Sequence, residues 1–265
     1  ERQVNRPIIH FSHANGFPAP CYAAMFAELD NRFRIGYLDR IGHDPRYPVS
    51  DGWDALVAEL IAAIEHRYQE RVIGVGHSLG GFLTAMAAAQ RPDLFDAVIL
   101  LDAPILAPFQ GSAIGLIKRI GLIDRIVPGA SRKRRRSEWP DRAAALAHFR
   151  RRKLFCNFAP ECLLDYVRYG IVDGDAGVHL WFDPDVEYQL YRTIPHNIAT
   201  AIRKLQVPGG FIGGTSSALL HRVGLAYTRR RFRLGLVAGD HLFPFQIPQL
   251  GARAIVRMAR DLGAL

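Results

Sequence analysis

Short apolar, β-branched runs alternate with longer stretches of helical periodicity from Pro7 to Asp102. The strand candidates are residues 7–11, 33–39, 71–76 and 97–101. Between them, residues 53–68 carry Leu56, Val57, Leu60, Ile61 and Ile64 at the three-and-four spacing of one helix face, with Asp51 placed as its N-cap. Residues 81–90 predict a second helix, which ends before Pro92 because the position ahead of a proline disfavours helical angles. Strands separated by helices predict a parallel sheet with crossover connections. The same pattern returns late in the chain: apolar runs at 209–213 and 232–238 flank a helix-like stretch, and residues 248–262 predict a closing helix.

Residues 105–207 read differently, with helical periodicity and a high basic and aromatic content. The expected organisation is an α/β core built from 1–104 and 208–265, with 105–207 inserted as a helical cap. Within the insert Ala113, Leu116, Ile117, Ile120, Ile123 and Val127 fall on one helical face, and Lys118, Arg119 and Arg125 fall elsewhere. Such a helix either packs that face on its neighbours or acts as a lid over an apolar substrate or against lipid. No internal repeat or long linker divides the chain.

The 265 residues, 49% hydrophobic and 22% charged, suit an ordinary globular fold with a large core and no need of disulfides. The longest apolar stretch, 97–109, is broken by Asp102 and two prolines, short of the roughly 18 apolar residues of a membrane-spanning helix. Cys21, Cys156 and Cys162 have neither CxxC nor Cys/His ligand spacing, so they read as reduced packing residues and no metal site is expected. No charged-then-apolar leader follows Glu1, although one ahead of Glu1 would leave no trace. The expectation is a cytoplasmic protein with contact at a membrane periphery as the alternative.

Lysine and arginine exceed aspartate and glutamate by 34 to 25, and much of the +9 charge is local, in runs at 132–136, 150–153 and 229–231. Clustered basic residues raise the question of nucleic acid, since they neutralise phosphates and release counterions. No zinc-finger spacing, RNP-type strand or GxxxxGK[ST] loop accompanies them, so nucleic acid is not an expected partner. A solvated basic face, or contact with anionic lipid, is the expected reading.

Candidate chemistry begins at Gly76-His77-Ser78-Leu79-Gly80-Gly81, directly after the apolar run Val72-Ile73-Gly74-Val75 and ahead of a predicted helix. In a sharp strand-to-helix turn a GxSxG string pushes the serine hydroxyl out at the top of the sheet, and the glycines leave room where side chains would collide. The plainer alternative is a serine in an ordinary Gly-rich turn. Two other stretches stand at matching places. His13-Ala14-Asn15-Gly16-Phe17-Pro18 follows the first strand, and Gly239-Asp240-His241-Leu242-Phe243-Pro244 follows the last.

In these three motifs and their order the sequence resembles the α/β-hydrolase superfamily of serine esterases, lipases and thioesterases with a helical cap, over nearly the whole chain. The resemblance implies Ser78 as nucleophile and His241, in the loop after the last strand, as the base that takes its proton. His77 inside the elbow and His13 in the first loop are the competing histidines. It also implies an oxyanion hole from the Leu79 N–H and one further donor, Asn15 or Phe17. The acid departs from the commonest family pattern, because 211–217 contains no carboxylate. A second family arrangement places the acid at the end of the strand after the nucleophile helix, where Asp102 stands 24 residues after Ser78. Its alternative role is a strand-end aspartate bound to local amides. Asp240, adjacent to the base, is poorly placed to reach the same ring.

The expected function is a serine hydrolase acting on a carboxylic ester or thioester of an apolar acyl group, a small-molecule substrate, without metal or organic cofactor. Acyl transfer, carbon-carbon bond hydrolysis, amide hydrolysis and cofactor-free perhydrolysis use the same groups. A ligand-binding protein on this fold is the non-enzymatic alternative. Serine at the nucleophile position argues against haloalkane dehalogenase and epoxide hydrolase chemistry. Oligomeric state is not set by the sequence.

Overall fold

The computed structural model describes residues 6–125 and 135–265. Strands β1 (Ile8–Ser12), β2 (Arg34–Tyr37), β3 (Val72–His77) and β4 (Phe95–Leu101) join β8 (Gly209–Gly214) and β9 (Arg233–Val237) in a six-stranded sheet of order β2-β1-β3-β4-β8-β9. Every pairing in it is parallel. The main helices of the core are α1 (Ala23–Leu29), α2 (Asp54–Arg67) and α3 (Leu79–Gln90). Between β4 and β8 come α4 (Pro108–Arg119), α5 (Arg142–Arg150), α6 (Pro160–Gly170), α7 (Pro184–Arg192) and α8 (Ile198–Ala201). After β8 come α9 (Ala218–Val223), α10 (Phe243–Gln246) and α11 (Pro248–Asp261).

The central strands are mostly apolar because both of their faces are buried, with His10, Ser12 and His77 as buried polar exceptions and Asp96 exposed. Ile73, Val75, Ile99 and Leu101 point into a cluster with Met25, Leu29, Ile255 and Met258 of α1 and α11. Their neighbours Val72, Val98 and Leu100 point the other way, onto Leu56, Leu60 and Ile64 of α2 and Leu83 and Met86 of α3. The register aligns Ser12 with Gly76, His77 with Leu101 and Gly214 with Val237. Leu101 aligns with Ile212, so the carboxyl ends of five strands finish within about two residues of one another, and the loops that leave them meet at one edge.

Several boundaries differ from the sequence expectation for local reasons. Stretch 33–39 pairs only over Arg34–Tyr37, because the Phe33 amide bonds back to Leu29 and the Asp39 carbonyl accepts from Ala19. Strand β4 starts at Phe95, two residues early, since a register shift at Val72/Ile73 accommodates the exposed Asp96. Asp51 does not cap α2: residues 51–53 form a separate turn with Trp53 in the left-handed region, and the Asp51 carboxylate pairs with Lys118.

The stretch between β4 and β8 also holds a three-stranded antiparallel sheet, ordered β5 (Glu138–Trp139), β7 (Gly177–Leu180), β6 (Ile171–Gly174), which helical periodicity did not foretell. The apolar face read from 113 to 127 is not one helix. Helix α4 ends at Arg119, Gly121 turns the chain at φ +73°, and Ile123 lies in a short turn of its own. Val127 lies outside the described residues. Among the described residues no helix is long and apolar enough to cross a membrane.

Three buried histidines are expected to make the fold acid-sensitive. Burial pushes His10 to about 3, His13 to about 4 and His77 to about 3, so all three stay neutral when folded. The unfolded chain takes up those protons below about pH 6.5, and each uptake removes about 1.4 kcal/mol of stability per pH unit. Glu59 runs the opposite way: burial raises its carboxyl to about 7, so the native state keeps a proton that the unfolded chain releases above about pH 4.5. One carboxyl against three imidazoles leaves a net loss on the order of 2–3 kcal/mol per pH unit near pH 5. The urea midpoint is therefore expected to fall sharply between pH 7 and pH 5. An unchanged midpoint would mean that the fold protonates these histidines.

Candidate active site

Ser78 stands between β3 and α3 with φ 54° and ψ −113°, a strained conformation for a residue with a Cβ. Hydrogen bonds hold it there: Ser78 N donates to the Leu101 carbonyl at 2.9 Å and Gly80 N to the His13 carbonyl at 3.1 Å. The flanking glycines are sterically required. A Cβ on Gly76 would sit 2.2 Å from the Gly80 carbonyl oxygen, and one on Gly80 would sit 2.0 Å from that of Ser12. Strand, turn and helix approach so closely that only glycine fits.

His241 comes from the loop after β9 and Asp102 from the end of β4. The His241 Nε2 lies 3.0 Å from Ser78 Oγ, and its Nδ1 lies 2.7 Å from Asp102 Oδ2. Asp102 is fully buried and carries φ 45°. Its Oδ1 accepts from Gly214 N at 2.9 Å and its Oδ2 from Ser217 Oγ at 2.5 Å. Burial by itself would raise this carboxyl, but the bonds from His241, Ser217 and Gly214 outweigh it and hold the pKa below the usual carboxylate value. A carboxylate can only accept, so Nδ1 carries the proton and Nε2 meets the serine hydroxyl as a bare acceptor. The stretch after β8, which lacks a carboxylate, instead supplies two donors to Asp102. Asp240 turns away from the ring and accepts from Leu242 N at 2.7 Å.

The two competing histidines have other partners. His13 Nε2 accepts from Ile41 N at 2.8 Å, and its Nδ1 donates to the Ala14 carbonyl at 2.9 Å. His77 is fully buried, and its Nε2 donates to the His241 backbone carbonyl at 2.8 Å. Its Nδ1 must then accept, and it does so from Tyr22 OH at 2.7 Å, whose oxygen accepts from Ala14 N at 3.1 Å. One chain of bonds thus ties the first loop, the elbow strand and the His241 loop together. This link went unseen in the sequence, where nothing connects Tyr22 with His77.

Of the oxyanion candidates, Leu79 N–H opens α3, in the first turn where an amide has no intrahelical acceptor. The Phe17 amide is already engaged, donating to the Ala14 carbonyl at 3.1 Å. Phe17 is therefore corrected from a candidate donor to a packing residue, its ring 5.0 Å from Phe245 and 5.4 Å from Tyr166. The Asn15 amide has no acceptor among the described residues, and its side-chain Nδ2 donates to the Glu187 carbonyl at 3.0 Å. Tyr166 OH donates to the Gly16 carbonyl at 3.4 Å. Helices α6 and α7 thus reach down onto the first loop.

The basic run at 132–136 is not wholly a solvated face. Residues 132–134 lie outside the described residues, but Arg135 is largely buried, with Nη2 3.0 Å from Glu187 Oε2. The runs at 150–153 and 229–231 are exposed. Among the described residues no group of three or more His, Cys, Asp or Glu side chains could hold a metal ion.

Similarity to known proteins fits this architecture. A stretch of 73 residues is 39% identical to lipase LipV of Mycobacterium tuberculosis, covering 27% of this chain and 28% of that one. Over 137 residues the chain is 29% identical to the monoglyceride lipase of Rattus norvegicus, covering 48% of this chain and 44% of that one. The chain thus spans less than half the length of these curated relatives. The solved structure of E-2-(acetamidomethylene)succinate hydrolase superposes with a TM-score of 0.77 at 22% identity, over 96% of this chain and 91% of that one. Residues 11–254 match the alpha/beta hydrolase family, and with the parallel sheet and the strand-to-helix elbow in place, that is the family to which this chain belongs.

Proposed function

We propose that the protein is a serine hydrolase that cleaves a carboxylic ester or thioester of an apolar acyl group through an acyl-enzyme. The reading is carried by the unbroken chain of hydrogen bonds from Ser78 Oγ through His241 to the buried Asp102. His241 Nε2 takes the Ser78 proton as Oγ attacks the acyl carbon, and the imidazolium that forms is held by Asp102. The amides of Leu79 and Asn15 receive the oxyanion, each donor contributing roughly 3 kcal/mol to the transition state. His241 then gives its proton to the leaving alcohol or thiol, and a water repeats the sequence to release the acid. Residues 105–207 act as a cap over this centre. The rings of Phe17, Phe155, Phe158, Tyr166 and Phe245 pack on one another beside the first loop as a buried apolar wall, and an apolar acyl group would be compatible with its edge.

A fluorophosphonate probe tests this reading directly. It should add once, to Ser78, as read by intact mass and peptide mapping, and the Ser78→Ala protein should take up none. Absence of labelling, or labelling on another residue, would overturn the proposal in favour of a binding protein on this fold.

A further inference from the structure

Helix α4 is built inside out. With successive residues turned by about 100°, Phe109, Ala113, Leu116 and Ile120 fall within an arc of about 60° on one side. A surface helix normally turns such a stripe to the core. Here it faces outward: Phe109 is 74% exposed, Leu116 58% and Ile120 57%, and Leu122 in the following turn is 36% exposed. The opposite side of the helix carries Gly111, Gly115 and Lys118, and that side contacts the protein. A Cβ on Gly111 would meet the His196 carbonyl at 2.0 Å, one on Gly115 would meet the His196 ring at 2.9 Å, and Lys118 Nζ donates to the Ile194 carbonyl at 2.6 Å. The orientation is therefore fixed by close contacts of small residues, and the apolar stripe is held off the body.

The charges around the stripe have one sign. Residues 107–123 contain no aspartate or glutamate. Arg119 and Arg125 are exposed, and neither has an acidic partner among the described residues. Arg222, also exposed, adjoins Val223, whose carbonyl accepts from Gln110 of α4. The nearby acids are already matched: Asp51 pairs with Lys118, and Asp124 with Arg192 and Tyr188. An apolar stripe flanked by unmatched cations fits a surface with an anionic skin and an apolar layer beneath it. A second copy of the chain fits less well, because a self-complementary contact across this stripe would bring the same arginines together.

We infer that α4 and the turn after it dock the protein on anionic phospholipid, with Phe109, Leu116, Ile120 and Leu122 entering the interface and Arg119 and Arg125 at the headgroups. Docking is a binding event independent of Ser78, so it stands or falls apart from the hydrolase reading. Sedimentation with phosphatidylcholine vesicles, with and without phosphatidylglycerol, tests it at low and high salt. The wild-type chain should sediment with the anionic vesicles at low salt and bind the neutral ones at least tenfold more weakly. The Phe109→Ser/Leu116→Ser/Ile120→Ser protein should lose tenfold or more, with an unchanged melting temperature because the three side chains are exposed. Arg119→Gln/Arg125→Gln should lose a similar factor at low salt, the difference vanishing at high salt as screening removes the attraction. Equal vesicle binding by wild type and the triple-serine variant would overturn the inference. So would a wild-type chain that ignores vesicles and scatters light as a dimer that the triple variant abolishes.

Discussion

Replacing Ser78 by alanine is expected to remove hydrolysis of a short p-nitrophenyl ester, lowering kcat by about 10⁶ while leaving the melting temperature close to that of the wild type. The elbow is held by backbone bonds from Ser78 N and Gly80 N, neither of which involves the hydroxyl. Removing Oγ therefore deletes the attacking atom and little else. His241→Ala should fall to a similar level, because without an acceptor at Nε2 the hydroxyl keeps its proton and attacks poorly. The informative protein is the double variant. Members of a cooperating set do not contribute independent increments, so the double loss should scarcely exceed either single loss. Rates of the three proteins on one substrate decide the matter: losses that multiply would show that Ser78 and His241 act separately and that another group is the base.

The core was legible because its physics is periodic. Strands buried on both faces read as continuous apolar runs, and the glycines at 76 and 80 are visible because no other residue fits contacts of 2.0–2.2 Å. Ser78, His241 and Asp102, singled out in the sequence, come together in the structure. What escaped notice depends on contacts with no local signature. Gly214 and Ser217 serve Asp102 through a backbone amide and a hydroxyl, from a stretch remarked on only for lacking a carboxylate. His77 and Tyr22 meet across 55 residues of chain, and Arg135 finds Glu187 just as far from local sequence, which turned part of an apparently solvated basic run into a buried ion pair. The small antiparallel sheet was missed because β5 is two residues long and β6 and β7 four each, too short to show alternation. Helix α4 marks a different limit. Periodicity identifies an apolar stripe, but only Gly111 and Gly115 against His196 show which way it faces.

Asp102→Asn is expected to lower kcat by about 10⁴, with the protein still folded. The argument turns on counting acceptors. Asp102 receives three donors: Gly214 N–H on Oδ1, and Ser217 O–H and His241 Nδ1–H on Oδ2. Asparagine offers one oxygen and one NH₂ in the same space. With its oxygen toward Gly214, the NH₂ faces the imidazole, which can satisfy it only by moving its proton to Nε2. The ring then presents a donor to Ser78 and cannot take its proton, the tautomer error for which a loss of about 10⁴ is expected. With the amide reversed, the NH₂ points at the buried Gly214 N–H, and the unmatched pair costs about 1–3 kcal/mol of stability. Either orientation leaves a measurable defect, in rate or in melting temperature, and the first is favoured because the imidazole can change tautomer whereas the Gly214 amide cannot. Turnover within tenfold of wild type at an unchanged melting temperature would remove Asp102 from the mechanism and leave it as a strand-end residue that orders the loop after β8.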